Sequence, residues 1–239
     1  MHHALNEGDK DQRMTYARWL KEKTDADPGF LNHVWFSDEA HFHLNGAVNT
    51  QNCRVWASEL PDIVLESPLH SPKVTAWCAM TASGLIGPFF FEDSKGTTVT
   101  VNKTRYVSML ERFWHALEDD PNIDTDNIWF QQDGAPPHTS RIALIWLQDH
   151  LGGRVLSRKT ENPWPAHSPD LTPLDFYLWG YLKSKVYATA PKTLPDLKKA
   201  IRRVARGITL ETCSRVIAEV AKRADLCLQR NGGHIEHVL

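Results

Sequence analysis

Two apolar runs in this chain end on an aspartate, and that pattern limits its possible folds more than any other feature. The runs are Val34-Trp35-Phe36-Ser37-Asp38 and Ile128-Trp129-Phe130-Gln131-Gln132-Asp133. Short segments rich in aromatic and β-branched residues form strands. The first run continues with Ala40, Phe42 and Leu44 alternating with polar residues, as a half-buried strand does. A carboxylate carried to the end of a buried strand is costly unless it is paired, neutralised or bound to a cation. The chain therefore needs a sheet whose strand ends carry acid, and a use for that charge.

The remaining segments set the fold class. Residues 5–24 predict a charged amphipathic helix that stops before Asp27-Pro28-Gly29. A second strand is predicted from Val48 to Trp56, followed by an irregular excursion over 57–72 with Pro61, Pro68 and Pro72. Lys73–Met80 and Leu85–Phe91 predict a hairpin around Thr81-Ala82-Ser83-Gly84. Residues 103–118 predict a helix with Tyr106, Met109, Leu110, Phe113 and Leu117 on one face. Another is predicted over 139–151, with Ile142, Ile145, Trp146 and Leu147 inward. A loop containing Pro163, Pro165, Pro169 and Pro173 leads to Leu174-Asp175, which opens a helix through about Val186. Two more helices are predicted over 194–206 and 209–228. This order predicts the α/β class, with a central mixed sheet of about five strands flanked by helices.

Composition narrows the partners. The 239 residues carry a formal net charge of −2, so no global basic field draws nucleic acid to the chain. Cys53, Cys78, Cys213 and Cys227 are widely spaced, which predicts reduced thiols in an intracellular protein. No stretch suits a membrane span or a signal core, which predicts a soluble chain without a membrane partner.

Two strand-end aspartates joined by Asp175 from a helix start offer hard oxygen ligands suited to Mg²⁺. Two such ions, roughly 3.5–4 Å apart, clamp the attacking and leaving oxygens of a phosphoryl displacement. Each position also has an ordinary structural use. Asp38 ends a strand, Asp133 precedes Gly134 as in an Asx-turn, and Asp175 suits an N-cap. Spacing by itself leaves both readings open. His41-x-His43 places two imidazoles on one strand face, but no further His or Cys cluster completes a zinc site.

The flanking residues add a resemblance. Val34-Trp35-Phe36-Ser37-Asp38-Glu39, Trp129-Phe130-Gln131-Gln132-Asp133-Gly134-Ala135-Pro136-Pro137-His138 and Ser168-Pro169-Asp170-Leu171-Thr172-Pro173-Leu174-Asp175-Phe176 resemble, in order, the three catalytic motifs of mariner-type DNA transposases such as the mariner-like elements of insects. The likeness continues through Trp179-Gly180-Tyr181-Leu182-Lys183 to Asn231-Gly232-Gly233-His234. Residue by residue, the catalytic and metal-binding acids are then Asp38, Asp133 and Asp175. The 41 residues between the last two exceed the usual mariner spacing and predict an inserted loop.

The resemblance implies a ribonuclease-H-like domain over 31–239, a helical lead-in over 1–30, and an arm near 46–72 that clamps a second subunit. It implies two Mg²⁺ ions per site, with Mn²⁺ as substitute, and no small-molecule cofactor. It further implies transposon-end and target DNA as partners, a homodimer, a nuclear location and insertion at TA. The helix-turn-helix modules that precede this domain in the family are absent from these residues, as in a fragment, an excised domain or a truncated copy. His138 is placed to contact a phosphate or orient a water, and equally to cap the next helix. Lys183, Lys185, Lys198, Lys199, Arg202, Arg203 and Arg206 are candidate contacts to DNA backbone. Glu39 points away from Asp38 by strand alternation and is expected to be structural. The alternative function is a domesticated or truncated copy serving as a non-catalytic binding or assembly module, and a weaker one is a host nuclease of ribonuclease H type.

Overall fold

The computed structural model describes residues 5–46 and 71–235. The strand predicted over 48–56 lies outside these residues, as does nearly all of the arm at 46–72. The other predicted strands form. β1 (Val34–His43) lies at the centre of a five-stranded sheet, flanked by β2 (Lys73–Thr81) and β4 (Trp129–Gln131). β3 (Gly84–Phe90) extends the sheet beyond β2, and β5 (Val155–Leu156) extends it beyond β4. β1, β2 and β3 pair antiparallel, whereas β4 and β5 run parallel to β1. The sheet is therefore mixed, as expected.

Strand alternation divides the core into two layers. Phe36, Ala40 and Phe42 of β1 and Val74, Ala76, Cys78 and Met80 of β2 face one layer. That layer is closed by α1 (Glu7–Ala26), α4 (Trp179–Tyr187), α5 (Leu194–Arg206) and α6 (Leu210–Gln229). Trp35, Trp77 and Ala79 face the opposite layer, built from α2 (Lys103–Glu118) and α3 (Arg141–Leu151). Asp38 thus shares a face with Phe36 and Phe42, while Glu39 looks toward α2.

Local signals explain the helix starts. Asn6 and Asp9 form a reciprocal capping box on α1, and Asn102, Thr193 and Thr209 cap α2, α5 and α6. α1 packs into the same core as the sheet, burying Tyr16, Ala17 and Leu20. One predicted face is half right, since Leu147 is buried and Trp146 packs against the α2 layer as expected, but the two isoleucines do not. α3 buries Ala143, Leu147 and Leu151, whereas Ile142 and Ile145 are 41% and 48% exposed.

Candidate active site

Strand register delivers the first two aspartates to one place. Phe36 lies opposite Gln131 in the parallel β1–β4 pair, so Asp133, two residues past the end of β4, comes beside Asp38. Asp38 sits in the middle of β1 opposite Cys78 of β2, and not at a strand end as expected, because β1 runs on to His43. The Ser37 hydroxyl donates to the Gln131 carbonyl at 2.7 Å and ties the strands together there. Crevices at the carboxyl ends of parallel strands are the usual ligand sites of open α/β sheets. Asp175 arrives from a π-helical turn, Leu174–Leu178, that runs directly into α4. The Trp179 N–H donates to the Leu174 carbonyl, the wide spacing that defines such turns. All three aspartates line a single cleft of about 500 Å³.

Asp38 is held under electrostatic tension. Burial pushes its carboxyl well above the ordinary carboxylate range, and the Asp175 and Glu39 charges push it further. The indole Nε1–H of Trp179 donates to Asp38 Oδ2 at 2.7 Å and opposes that shift. Two carboxylates repelling each other at the floor of an open cleft form a place where a cation is favoured.

Asp133 is stabilised differently. Burial alone pushes it up, but the hydrogen bond and charge of His138, with the Ala135 N–H, outweigh burial and lower it overall. His138 Nδ1 lies 2.5 Å from Asp133 Oδ1, and its Nε2 lies 3.1 Å from Glu39 Oε1. Burial disfavours the imidazolium, but Glu39 and Asp133 together raise His138 to about 10. The ring stacks on Tyr106 with centroids 4.0 Å apart. The Tyr106 hydroxyl donates to Gln132 Oε1 at 2.6 Å, and Gln132 Nε2 donates to the His138 carbonyl. The expectation for Glu39 is thereby corrected. It does point to the opposite face, but His138 waits there, so Glu39 reaches Asp133 through one ring.

Among the described residues, no three His, Cys, Asp or Glu side chains stand together as a ready metal cluster. Asp175 and Glu39 act on Asp38, whereas Asp133 is turned to His138. His41 Nδ1 pairs with Thr75 Oγ1 at 3.0 Å. Of the predicted DNA-facing cations, Lys199, Arg202, Arg203 and Arg206 line a groove of about 720 Å³ with Lys192. Lys198 is committed elsewhere, to Glu92 and the Gly96 carbonyl. Lys183 lies over the Phe42 ring at 5.9 Å, and Lys185 is exposed.

The segment before Asp175 is braced from below. Asp170 and Arg13 are both fully buried and bonded in parallel, Oδ1 to Nη1 at 2.7 Å and Oδ2 to Nη2 at 2.6 Å. Arg13 Nε also donates to the Gly232 carbonyl at 2.8 Å, so α1, the proline loop and the Asn231–Gly233 turn meet at one ion pair. Sequence reasoning assigned no role to Arg13, whose partners lie more than 150 residues away. It also missed Arg158, which lines the cleft.

The chain has relatives among known proteins. It is 22% identical over 227 residues to the Tcb1 transposase of Caenorhabditis briggsae, covering 92% of this chain and 76% of that protein. To the Tc3 transposase of Caenorhabditis elegans it is 28% identical over 213 residues, 85% of this chain and 58% of that protein. Histone-lysine N-methyltransferase SETMAR of Homo sapiens is 24% identical over 241 residues; there this chain is spanned to 98% but covers only 33% of the relative. Among solved structures, the catalytic domain of Mos1 mariner transposase superposes with a TM-score of 0.73 at 22% identity, covering 99% of this chain and all of that one. The Mos1 paired-end complex with left transposon end gives 0.78 at 22% identity, covering 98% of this chain and 65% of that chain. No protein-family model matches the chain. The chain thus has the ribonuclease-H-like fold of that catalytic domain. These relatives bear out the resemblance to mariner-type transposases read in the sequence.

Proposed function

We propose that this chain is the catalytic unit of a DNA transposase, which cuts a strand at a transposon end by phosphodiester hydrolysis and joins the freed 3′-hydroxyl to target DNA. The observation that carries the reading is the meeting of Asp38, Asp133 and Asp175 in one cleft. Relatives are named as transposases, and structures of the Mos1 catalytic domain include forms with Mn and with Mg.

The residues present fit a divalent ion. Asp38 and Asp175 are hard oxygen donors whose mutual repulsion a cation relieves, and Asp133 joins them once its carboxylate leaves His138. Two Mg²⁺ ions, when bound, supply activation of a water and neutralisation of phosphate charge. The protein's own part is positioning. Trp179 fixes the Asp38 carboxylate, the π-turn aims Asp175, and His138 with Glu39 keeps Asp133 ionised beside them until it turns to the ion. The exposed Lys199, Arg202, Arg203 and Arg206, with Lys183 and Lys185, take backbone phosphates. Transposon-end DNA, TA target sites, action as a homodimer and work in the nucleus belong to the same reading. Among the described residues no helix is long and apolar enough to cross a membrane.

A non-catalytic assembly module is the second reading, and the commitment of Asp133 to His138 favours it. Incubation of the chain with Mn²⁺ and supercoiled plasmid decides between them. The transposase reading expects nicks that Asp133→Ala abolishes; equal and negligible nicking by both proteins selects the assembly module.

A further inference from the structure

We infer that Arg158, supplied by the long segment between Asp133 and Asp175, is the phosphate-binding residue of the cleft. The inference rests on the transposase reading and adds a substrate contact to it. A cleft walled by three aspartates repels a phosphodiester, so any strand that enters needs a cationic group besides the metal. Among the described residues, Arg158 is the one arginine or lysine lining this cleft.

Its placement is built rather than accidental. β5 ends at Leu156, and the next residues form a tight turn in which the Ser157 N–H donates to the Asn162 carbonyl at 3.2 Å and the Trp164 N–H donates to the Ser157 carbonyl at 3.2 Å. The Thr160 hydroxyl sits inside that turn, accepting from the Ser157 N–H at 3.1 Å. The Ser157 hydroxyl in turn accepts from Gln132 Nε2 at 3.0 Å, which ties the turn to the residue before Asp133. Arg158 therefore projects from a pinned backbone.

The side chain then crosses the cleft wall over Gly134. A Cβ at Gly134 would meet Arg158 Cδ at 2.8 Å and Cβ at 3.2 Å, so the missing side chain is what lets the arginine lie there. The stem is seated, yet among the described residues the exposed guanidinium has no hydrogen-bond or ion-pair partner. An arginine beside three carboxylates that pairs with none of them keeps its donors for a ligand. Its planar fork matches two oxygens of a phosphate, which a lysine offers only as a point charge. The extra chain between the second and third aspartates thus acquires a task, since it carries the turn that presents Arg158.

The test compares wild type with Arg158→Ala and Arg158→Lys in two assays. In single-turnover cleavage of a labelled duplex with Mn²⁺, Arg158→Ala is expected to lose roughly 10²-fold in rate, the usual loss for one transition-state donor. Arg158→Lys is expected to recover only part of it, and added guanidinium ion to rescue Arg158→Ala but not wild type. In fluorescence anisotropy with Ca²⁺, Arg158→Ala is expected to bind the duplex more weakly and to lower the salt slope by about 0.9, one phosphate contact. Melting temperatures of the three proteins are expected to agree, because the group is exposed. Wild-type cleavage that Arg158→Ala reproduces at full rate would overturn the inference and leave the transposase reading standing. Absence of cleavage in wild type would overturn the reading, and the binding assay then judges Arg158 separately, equal affinity and equal slope counting against it.

Discussion

Asp170→Asn is expected to be among the most damaging single substitutions in the chain, although it removes no ligand and no mass. Asp170 is fully buried and receives both Arg13 Nη groups, at 2.7 and 2.6 Å, together with the Ile235 N–H at 3.2 Å. The amide keeps the shape but leaves a guanidinium without its counter-charge, and turns one acceptor into a donor facing Arg13 N–H groups. Breaking a buried pair from one side costs about 3–5 kcal/mol. Against a total stability of about 5–15 kcal/mol, that is a fifth or more of what holds the domain. Urea unfolding followed by tryptophan fluorescence measures it as a fall in midpoint at unchanged slope. The double variant Arg13→Met with Asp170→Leu is expected to regain most of the loss, because well-packed apolar groups replace buried pairs at little cost. An Asp170→Asn variant within about 1 kcal/mol of wild type, or a double variant as unstable as the two single losses added together, would refute this role for the ion pair.

Three smaller predictions follow the same geometry. In EDTA, His138 stabilises the fold most fully below its ordinary value near 6.5 and loses that contribution as pH rises through about 10, so alkaline melting temperatures should fall and His138→Gln should flatten the fall. Trp179→Phe removes the donor that favours the ionised form of Asp38, so Mn²⁺ affinity measured by calorimetry should drop about 10–100-fold, and an unchanged affinity would deny Trp179 that role. Ile145→Ser should shift stability by no more than about 0.5 kcal/mol, since the side chain is 48% exposed; a loss of several kcal/mol would mean that the face is covered.

Much of this fold is legible in the sequence because its elements are periodic. β1 is an apolar run with both faces buried over Val34–Ser37 and alternates beyond Asp38 through Ala40 and Phe42, and α2 places Tyr106, Met109, Leu110, Phe113 and Leu117 inward as its spacing predicts. What escaped has physical reasons. β5 is two residues long, too short to show a period. The π-turn at Leu174–Leu178 shifts the helix phase by one hydrogen-bond step without any compositional signature. On α3 the bulky Ile142 and Ile145 suggest one face, but the buried set Ala143, Leu147 and Leu151 follows the helical spacing on another. Glu39 was judged from its own strand alone, and its meaning lies in a ring contributed 99 residues later. Arg158 carries no motif at all; only the fold brings it beside Gly134.

Asp38, Asp133 and Asp175 are proposed to form one metal-dependent centre. Anomalous diffraction from crystals grown with Mn²⁺ tests it most directly. A peak is expected in the cleft, bonded by carboxylate oxygens of Asp38 and Asp175, with Asp133 turned from His138 to join them. A cleft without a peak, or Mn²⁺ bound only at a site such as His41 and His43, would contradict it.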